Sequence, residues 1–161
     1  MVFTGNPADI HMGAAAVYYD ARCLGYTGND SVKINQSITP TPITPDQTSL
    51  PIKDIITEMS VDVDVTLWEI SSDNVNMLPG VENGQFKDPI GIDMKAVAKT
   101  LRIVPLDTAD PNVWELPSAC PVITDGIGFV KNTPQGFGLN FKAYTDSSGV
   151  YLKMSTRTTG E

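Results

Sequence analysis

The residues able to do chemistry are few and poorly grouped. The 161-residue chain has one histidine, His11, and two cysteines, Cys23 and Cys120. A zinc site or a hydrolytic triad needs several such side chains converging, and no Gly-x-Ser-x-Gly, Walker, Rossmann or Cys-x-x-Cys spacing is present. Cys23 and Cys120 fit the commoner role of small packing residues. Gly126-Ile127-Gly128 and Gly136-Phe137-Gly138 resemble phosphate loops, but no lysine or helix start follows either, so they are expected to be turns. Asp62 and Asp64 form the one regularly spaced carboxylate pair. An Asp-x-Asp pair can contribute to a cation site, yet the loop carbonyls, further carboxylates and glycine of an EF-hand are missing, so a solvated strand face is the plainer reading. Composition leaves room for a glycosidase-type carboxylate pair, but 7% aromatic residues offer few platforms on which to stack sugars. Neither catalytic residues nor a metal or cofactor is expected, and enzymatic activity is the weakest of the function classes.

Charge is distributed unevenly around these groups. The formal net charge is -8. Residues 1–82 carry eleven acidic side chains against three basic ones, whereas residues 83–161 carry eight of each. Such a field repels phosphate and disfavours tight binding of nucleic acid. The longest apolar run, Gly13 to Tyr19, falls well short of the roughly 20 residues needed to span a bilayer. With no secretory signal at the start and no disulfide framework, the expectation is a soluble protein adapted to a reducing cytoplasm, with residues 1–161 forming a single domain.

Strands dominate the elements that must position these side chains. Residues 1–11, with Gly5, Asn6 and Pro7, read as an arm. Gly13 to Tyr19 favours a strand through Val17-Tyr18-Tyr19. A glycine turn at Leu24 to Asp30 leads into residues 31–38, where Val32, Ile34 and Ile38 alternate with polar residues. Pro40, Pro42, Pro45 and Pro51 then predict that residues 39–53 form a stiff, extended loop or hairpin tip excluded from the interior of a sheet. Met59 to Leu67 alternates strictly, placing Asp62 and Asp64 on a solvated face. Ser71 to Gly80 offers caps, an acidic first turn and a Pro-Gly stop, which predict a helix of about two turns. Val81 to Gly91 reads as a loop and Ala98 to Leu106 as a strand. Trp114 to Thr124, interrupted by Pro117 and Pro121, belongs at an edge or across a bend. Residues 137–154 predict a terminal hairpin around Asp146-Ser147-Ser148-Gly149, followed by a polar tail at 155–161. The fold class expected is mainly β, a β-sandwich or barrel with one short flanking α-helix, an extended loop and an N-terminal arm.

Several segments, taken in order, resemble the tail tube (major tail) protein family of tailed bacteriophages. They are Ala8-Asp9-Ile10-His11-Met12-Gly13, Val17-Tyr18-Tyr19, Leu24-Gly25-Tyr26-Thr27-Gly28, Asp46-Gln47-Thr48, and Val61 to Ile70 leading into Ser72-Asp73-Asn74-Val75. The resemblance covers roughly residues 8 to 80, with a looser match of hairpin type at 136–154, and it is the order of the segments that carries it. It implies hexameric rings stacked into a hollow tube through which DNA leaves the capsid. The implied partners are further copies of the chain and other tail proteins, among them sheath, tape measure, terminator and baseplate. DNA would pass without specific binding, no membrane would be involved, and the place of action would be the virion tail, assembled in the bacterial cytoplasm.

On that reading Asp62 and Asp64 are candidates to face the lumen and repel DNA, an outer surface being the alternative. Pro40, Pro42, Pro45 and Asp46 are candidates for contacts between rings or subunits. The competing class is a small ligand-binding β-sandwich module, such as a virion decoration or carbohydrate-binding protein.

Overall fold

The computed structural model describes residues 13–129 and 131–158. The expected arm at 1–11, with His11, lies outside the described residues. The main element is an eight-stranded antiparallel sheet built from β1 (Ala15–Tyr19), β2 (Arg22–Cys23), β3 (Lys33–Ile43), β4 (Lys53–Leu67), β7 (Lys99–Pro105), β8 (Asn112–Asp125), β9 (Phe137–Ala143) and β10 (Lys153–Thr156). One short helix, α1 (Ser72–Asn76), and a two-stranded ribbon of β5 (Val81–Glu82) and β6 (Gln85–Phe86) interrupt the strands. The order across the sheet is β2-β1-β7-β8-β9-β4-β3, with β10 also paired to β8.

β8 lets the sheet curl without closing. Its first half pairs with β7 on one side and β10 on the other, through Leu116↔Leu101 and Lys153↔Glu115. From Ala119 to Asp125 it pairs with β9. Pro117 marks the crossover, and Pro121 falls in the half with a single strand neighbour, where a missing donor is tolerated. The strand is therefore central in its first half, bent near Pro117, and an edge beyond Ala119. The curl brings β1 over β9, which is not its neighbour in the sheet: the Tyr19 and Phe141 rings lie 5.4 Å apart, and the Tyr19 hydroxyl donates to Ala119 O at 3.1 Å. Val17, Leu101, Leu116, Val63, Val65, Leu139 and Phe141 fill the space between. Burial raises the Tyr19 phenol and the Cys120 thiol above their ordinary pKa values, so both stay neutral packing groups at physiological pH.

Several expectations change, among them the loop at Val81 to Gly91, which holds the β5/β6 ribbon. Residues 137–154 do not form a hairpin. The turn at Asp146 to Gly149 does reverse the chain, but β4 and β8 already occupy both sides of β9, so the returning strand passes on to β8. It consequently runs into the expected tail, with Ser155 and Thr156 in β10. The segment 39–53 is not all loop: β3 runs through Thr39, Pro40, Thr41, Pro42 and Ile43, which pair with Glu58, Ile56, Ile55, Asp54 and Lys53 of β4. Edge position permits this, because Pro40 and Pro42, two residues apart, put their missing donors on the same side of the strand and that side can be the unpaired one.

The helix is shorter than two turns. Ser71 caps it, its Oγ accepting from Asn74 N at 3.2 Å, and the chain leaves at Met77. Asn74 is buried. Its Nδ2 donates to Leu24 O (2.9 Å) and Glu69 O (2.8 Å), and its Oδ1 accepts from Arg22 Nη1 (2.6 Å). At Gly25, which sits at φ 84, a Cβ would come within 1.8 Å of Glu69 Oε2. The Leu24-Gly25-Tyr26 and Leu67-Trp68-Glu69 segments, far apart in sequence, thus close on each other and lock α1 to the sheet end.

Candidate assembly surface

The most unusual feature is the distal half of the β3/β4 hairpin. Pairing of β4 with β9 ends at Asp62↔Lys142. Beyond that point the ribbon leaves the body, and β4 from Lys53 to Val61 has β3 as its sole strand partner among the described residues. Nine strand residues extend about 30 Å. The arm is held by its own ladder and by short polar links: Thr41 and Thr57 hydroxyls lie 2.9 Å apart, Thr57 Oγ1 donates to Thr39 O at 3.1 Å, and Ile52 N donates to Ile43 O at 2.9 Å.

A bulge sets which side chains the arm displays. Thr39 pairs with Glu58 but Pro40 pairs with Ile56, so Thr57 is the extra residue. Its insertion shifts the alternation by one. The buried stripe Val65, Val63, Val61 therefore continues outward as Met59 and then Ile56, beside Ile38 and Pro40 of β3. Inside the body this stripe is covered; on the arm it is not. Leu50, Ile52 and Ile56 are 70%, 65% and 62% exposed.

The two edges of the arm differ. Pro40 and Pro42 deprive the β3 side of two donors. The β4 side has no proline between Lys53 and Val61, so it presents a continuous row of backbone donors and acceptors, the template on which another strand can add. Of the four residues expected to make contacts between subunits, Pro40 and Pro42 lie in the paired stem, Pro45 O accepts from Thr48 N in the tip turn at 3.2 Å, and Asp46 is exposed there. All four belong to the arm.

Asp62 and Asp64 lie at its root, on the outer face of the sheet, half-buried. Asn35 Nδ2 donates to Asp62 Oδ2 (3.1 Å) and Asp64 Oδ2 (2.7 Å), and Asn140 Nδ2 donates to Asp62 Oδ2 (2.7 Å) and Asp64 Oδ1 (2.8 Å). Lys142 stands opposite Asp62 and Lys33 opposite Asp64. Two carboxylates, two amides and two lysines form a charge-balanced checkerboard across three strands. Asn35 and Asn140 were not singled out from the sequence, because cross-strand register is not visible in a linear pattern. Among the described residues no group of His, Cys, Asp and Glu is arranged to hold a metal, and no helix is long and apolar enough to cross a membrane.

Two concavities flank the excursion between α1 and β7. One, of about 630 Å³, is lined by Tyr19, Arg22, Asp73, Met77 and Lys99 among others. The other, of about 360 Å³, is an apolar groove between the β5/β6 ribbon with its following loop and the end of β8.

The fold and surface define an antiparallel β protein with a protruding hairpin. No protein-family model matches the chain, and no curated protein matches it in sequence. Among solved structures it is similar to a chain from the cryo-EM structure of an extracellular contractile injection system, described as the PVC sheath/tube terminator in extended state. The TM-score is 0.56 at 9% identity, over 95% of this chain and 99% of that one. At that identity the likeness is one of fold, and it extends over both chains almost end to end.

Proposed function

We propose that this chain is a structural component of a phage-tail-like particle, one that associates with copies of itself head to tail to form a ring at or along the tail tube. The observation that carries the reading is the arm. An isolated two-stranded ribbon is marginal in water, and one with uncovered isoleucines and an open edge gains most when another subunit covers it. The fold shared with a sheath/tube terminator supports a place in a tail and favours a ring at the tube's end over the repeating body of the tube. Six-fold rings with DNA passing through them complete the proposal, and no catalytic step is part of it. A lumen-facing role for Asp62 and Asp64 draws no support from their surroundings, since Lys33 and Lys142 offset their charge and both carboxylates are engaged by amides.

Negative-stain microscopy and sedimentation of the purified chain test this. Discrete six-fold rings are expected for a tube-end protein, and long tubes for a tube-body protein. Removing residues 40–57 and joining Thr39 to Glu58, which already pair, through an Asn-Gly turn is expected to leave a folded monomer that no longer assembles. A wild-type chain that stays monomeric at all concentrations, or an armless one that assembles normally, would refute the proposal.

A further inference from the structure

We infer that the apolar groove beside β8 is the receptor for the arm tip of a second copy of this chain; this rests on the self-assembly reading above and adds to it the identity of the receiving site. The groove is lined by apolar side chains, among them Val81, Phe86, Ile92, Met94, Val122 and Ile123. Phe86 and Ile123 remain 62% and 41% exposed, so the chain's own described residues leave the groove open. At interior packing density its volume of about 360 Å³ holds about three aliphatic side chains. The tip and distal stem supply three such groups in Leu50, Ile52 and Ile56.

Geometry decides between a chain filling its own groove and a chain filling another's. Along the ladder, the arm leaves at the level where Asp62 pairs with Lys142, whereas Val122 and Ile123 pair with Asn140 and Leu139, in register with Asp64 and Val65. The arm thus departs from one end of the strands and the groove lies toward the other. The arm, about 30 Å long, leaves on the side away from its own groove, and the exposure of Leu50, Ile52 and Ile56 shows that they do not fill it. Arm to groove is then a heterologous contact, which closes into a ring or propagates as a filament.

Area sets the strength. The three side chains and the groove walls together remove at most a few hundred Å² of apolar surface from water, well under the roughly 1,200 Å² of a small specific interface. One contact is too small to hold a stable dimer, whereas a closed ring, in which every subunit makes two, benefits from effective concentration. The arm and groove therefore predict cooperative rings with little free dimer.

The test uses the full chain with the exposed Cys23 replaced (Cys23→Ser) and the buried Cys120 kept. Leu50→Cys and Ile123→Cys are made in separate copies and treated with mild oxidant or a short bismaleimide, alone and mixed. The expected result is a cross-linked 1:1 dimer in the mixture and none in either sample alone; a chain carrying both substitutions gives a ladder ending at the ring size. Phe86→Cys in place of Ile123→Cys provides a second groove position should the first disturb β8. Cross-linking of Leu50→Cys copies to one another would overturn the inference in favour of arm-to-arm pairing. Absence of mixed cross-links at both groove positions while rings are visible would overturn it and leave self-assembly standing, whereas absence of any assembly would overturn both.

Discussion

Asn74 is where the fold is most exposed to a single substitution. Its side chain makes three hydrogen bonds, to Leu24 O, Glu69 O and Arg22 Nη1, at 2.9, 2.8 and 2.6 Å, and it is buried. Asn74→Ala removes all three. Each bond contributes about 1 kcal/mol, and the stranded Leu24 and Glu69 carbonyls add a desolvation penalty, so the total loss is expected at about 3–4 kcal/mol. For a domain of this size that lowers the midpoint of thermal unfolding by about 10 °C. Asn74→Asp separates the cause from packing. It keeps the volume and the acceptor for Arg22 but turns two donated bonds into an oxygen facing two carbonyl oxygens, so it is expected to lose nearly as much. Thermal and urea denaturation of the two variants, with ring formation scored well below both midpoints, measures the effect. A loss under about 1 kcal/mol for Asn74→Ala, or wild-type stability for Asn74→Asp, would show that the hydrogen bonds do not hold α1 to the sheet.

Two further expectations follow from the sheet and the last turn. Asn140→Ala removes two amide-to-carboxylate bonds from the Asp62/Asp64 pair and is expected to destabilise by about 1–2 kcal/mol, discounted for partial exposure; because Asn35 serves the same two carboxylates, the double variant with Asn35→Ala should depart from additivity, and strictly additive denaturation energies would argue against a shared network. Asp146 has its carboxyl held below the usual carboxylate range, first by the Val150 N–H and also by the Ser148 N–H. With the folded value below the unfolded one, its contribution is fully present above about pH 4 and is lost as pH falls through the folded value. Asp146→Asn should accordingly flatten the acid limb of the stability profile, and unchanged limbs would refute the assignment.

The body of the fold was legible because it obeys local rules. Met59 to Leu67 alternates, and β4 buries the odd positions from Val61 to Leu67. Ser71 to Asn74 has cap chemistry, and α1 starts there. What escaped was decided by register. Ile55-Ile56 breaks the alternation of β4, so the strand seemed to begin at 59; the break is the bulge at Thr57, which passes the apolar phase from odd to even positions. The prolines excluded 39–53 from the interior of a sheet, which holds, but the expected loop or hairpin tip understated how far the ladder runs, because an edge strand with one unpaired side accepts prolines. Asn83-Gly84, at φ 52 and 72, is a two-residue hairpin turn that joins β5 to β6 inside the stretch expected to be a loop. The pairing of β10 with β8 left no local trace, since it depends on which edges β4 and β8 have already filled. The candidate contact residues fell on the arm, but its apolar groups lay just beyond the prolines that drew attention to it.

The prolines of the arm also explain how so exposed a ribbon is compatible with a free subunit. Pro40 and Pro42 restrict φ in the unassembled chain as well as the assembled one, so less conformational entropy is lost when a neighbour orders the arm. By removing donors from the β3 side they also discourage unplanned strand addition there, leaving the β4 side as the open edge. In the proposed assembly growth is directional: one edge would accept a strand, one apolar stripe needs cover, and the groove inferred to receive it lies toward the opposite end of the strands. An isologous dimer would have to pair like with like and leave both grooves empty. The proposed head-to-tail ring would fill each groove once, and the same asymmetry that would favour the ring would limit aggregation of the free chain.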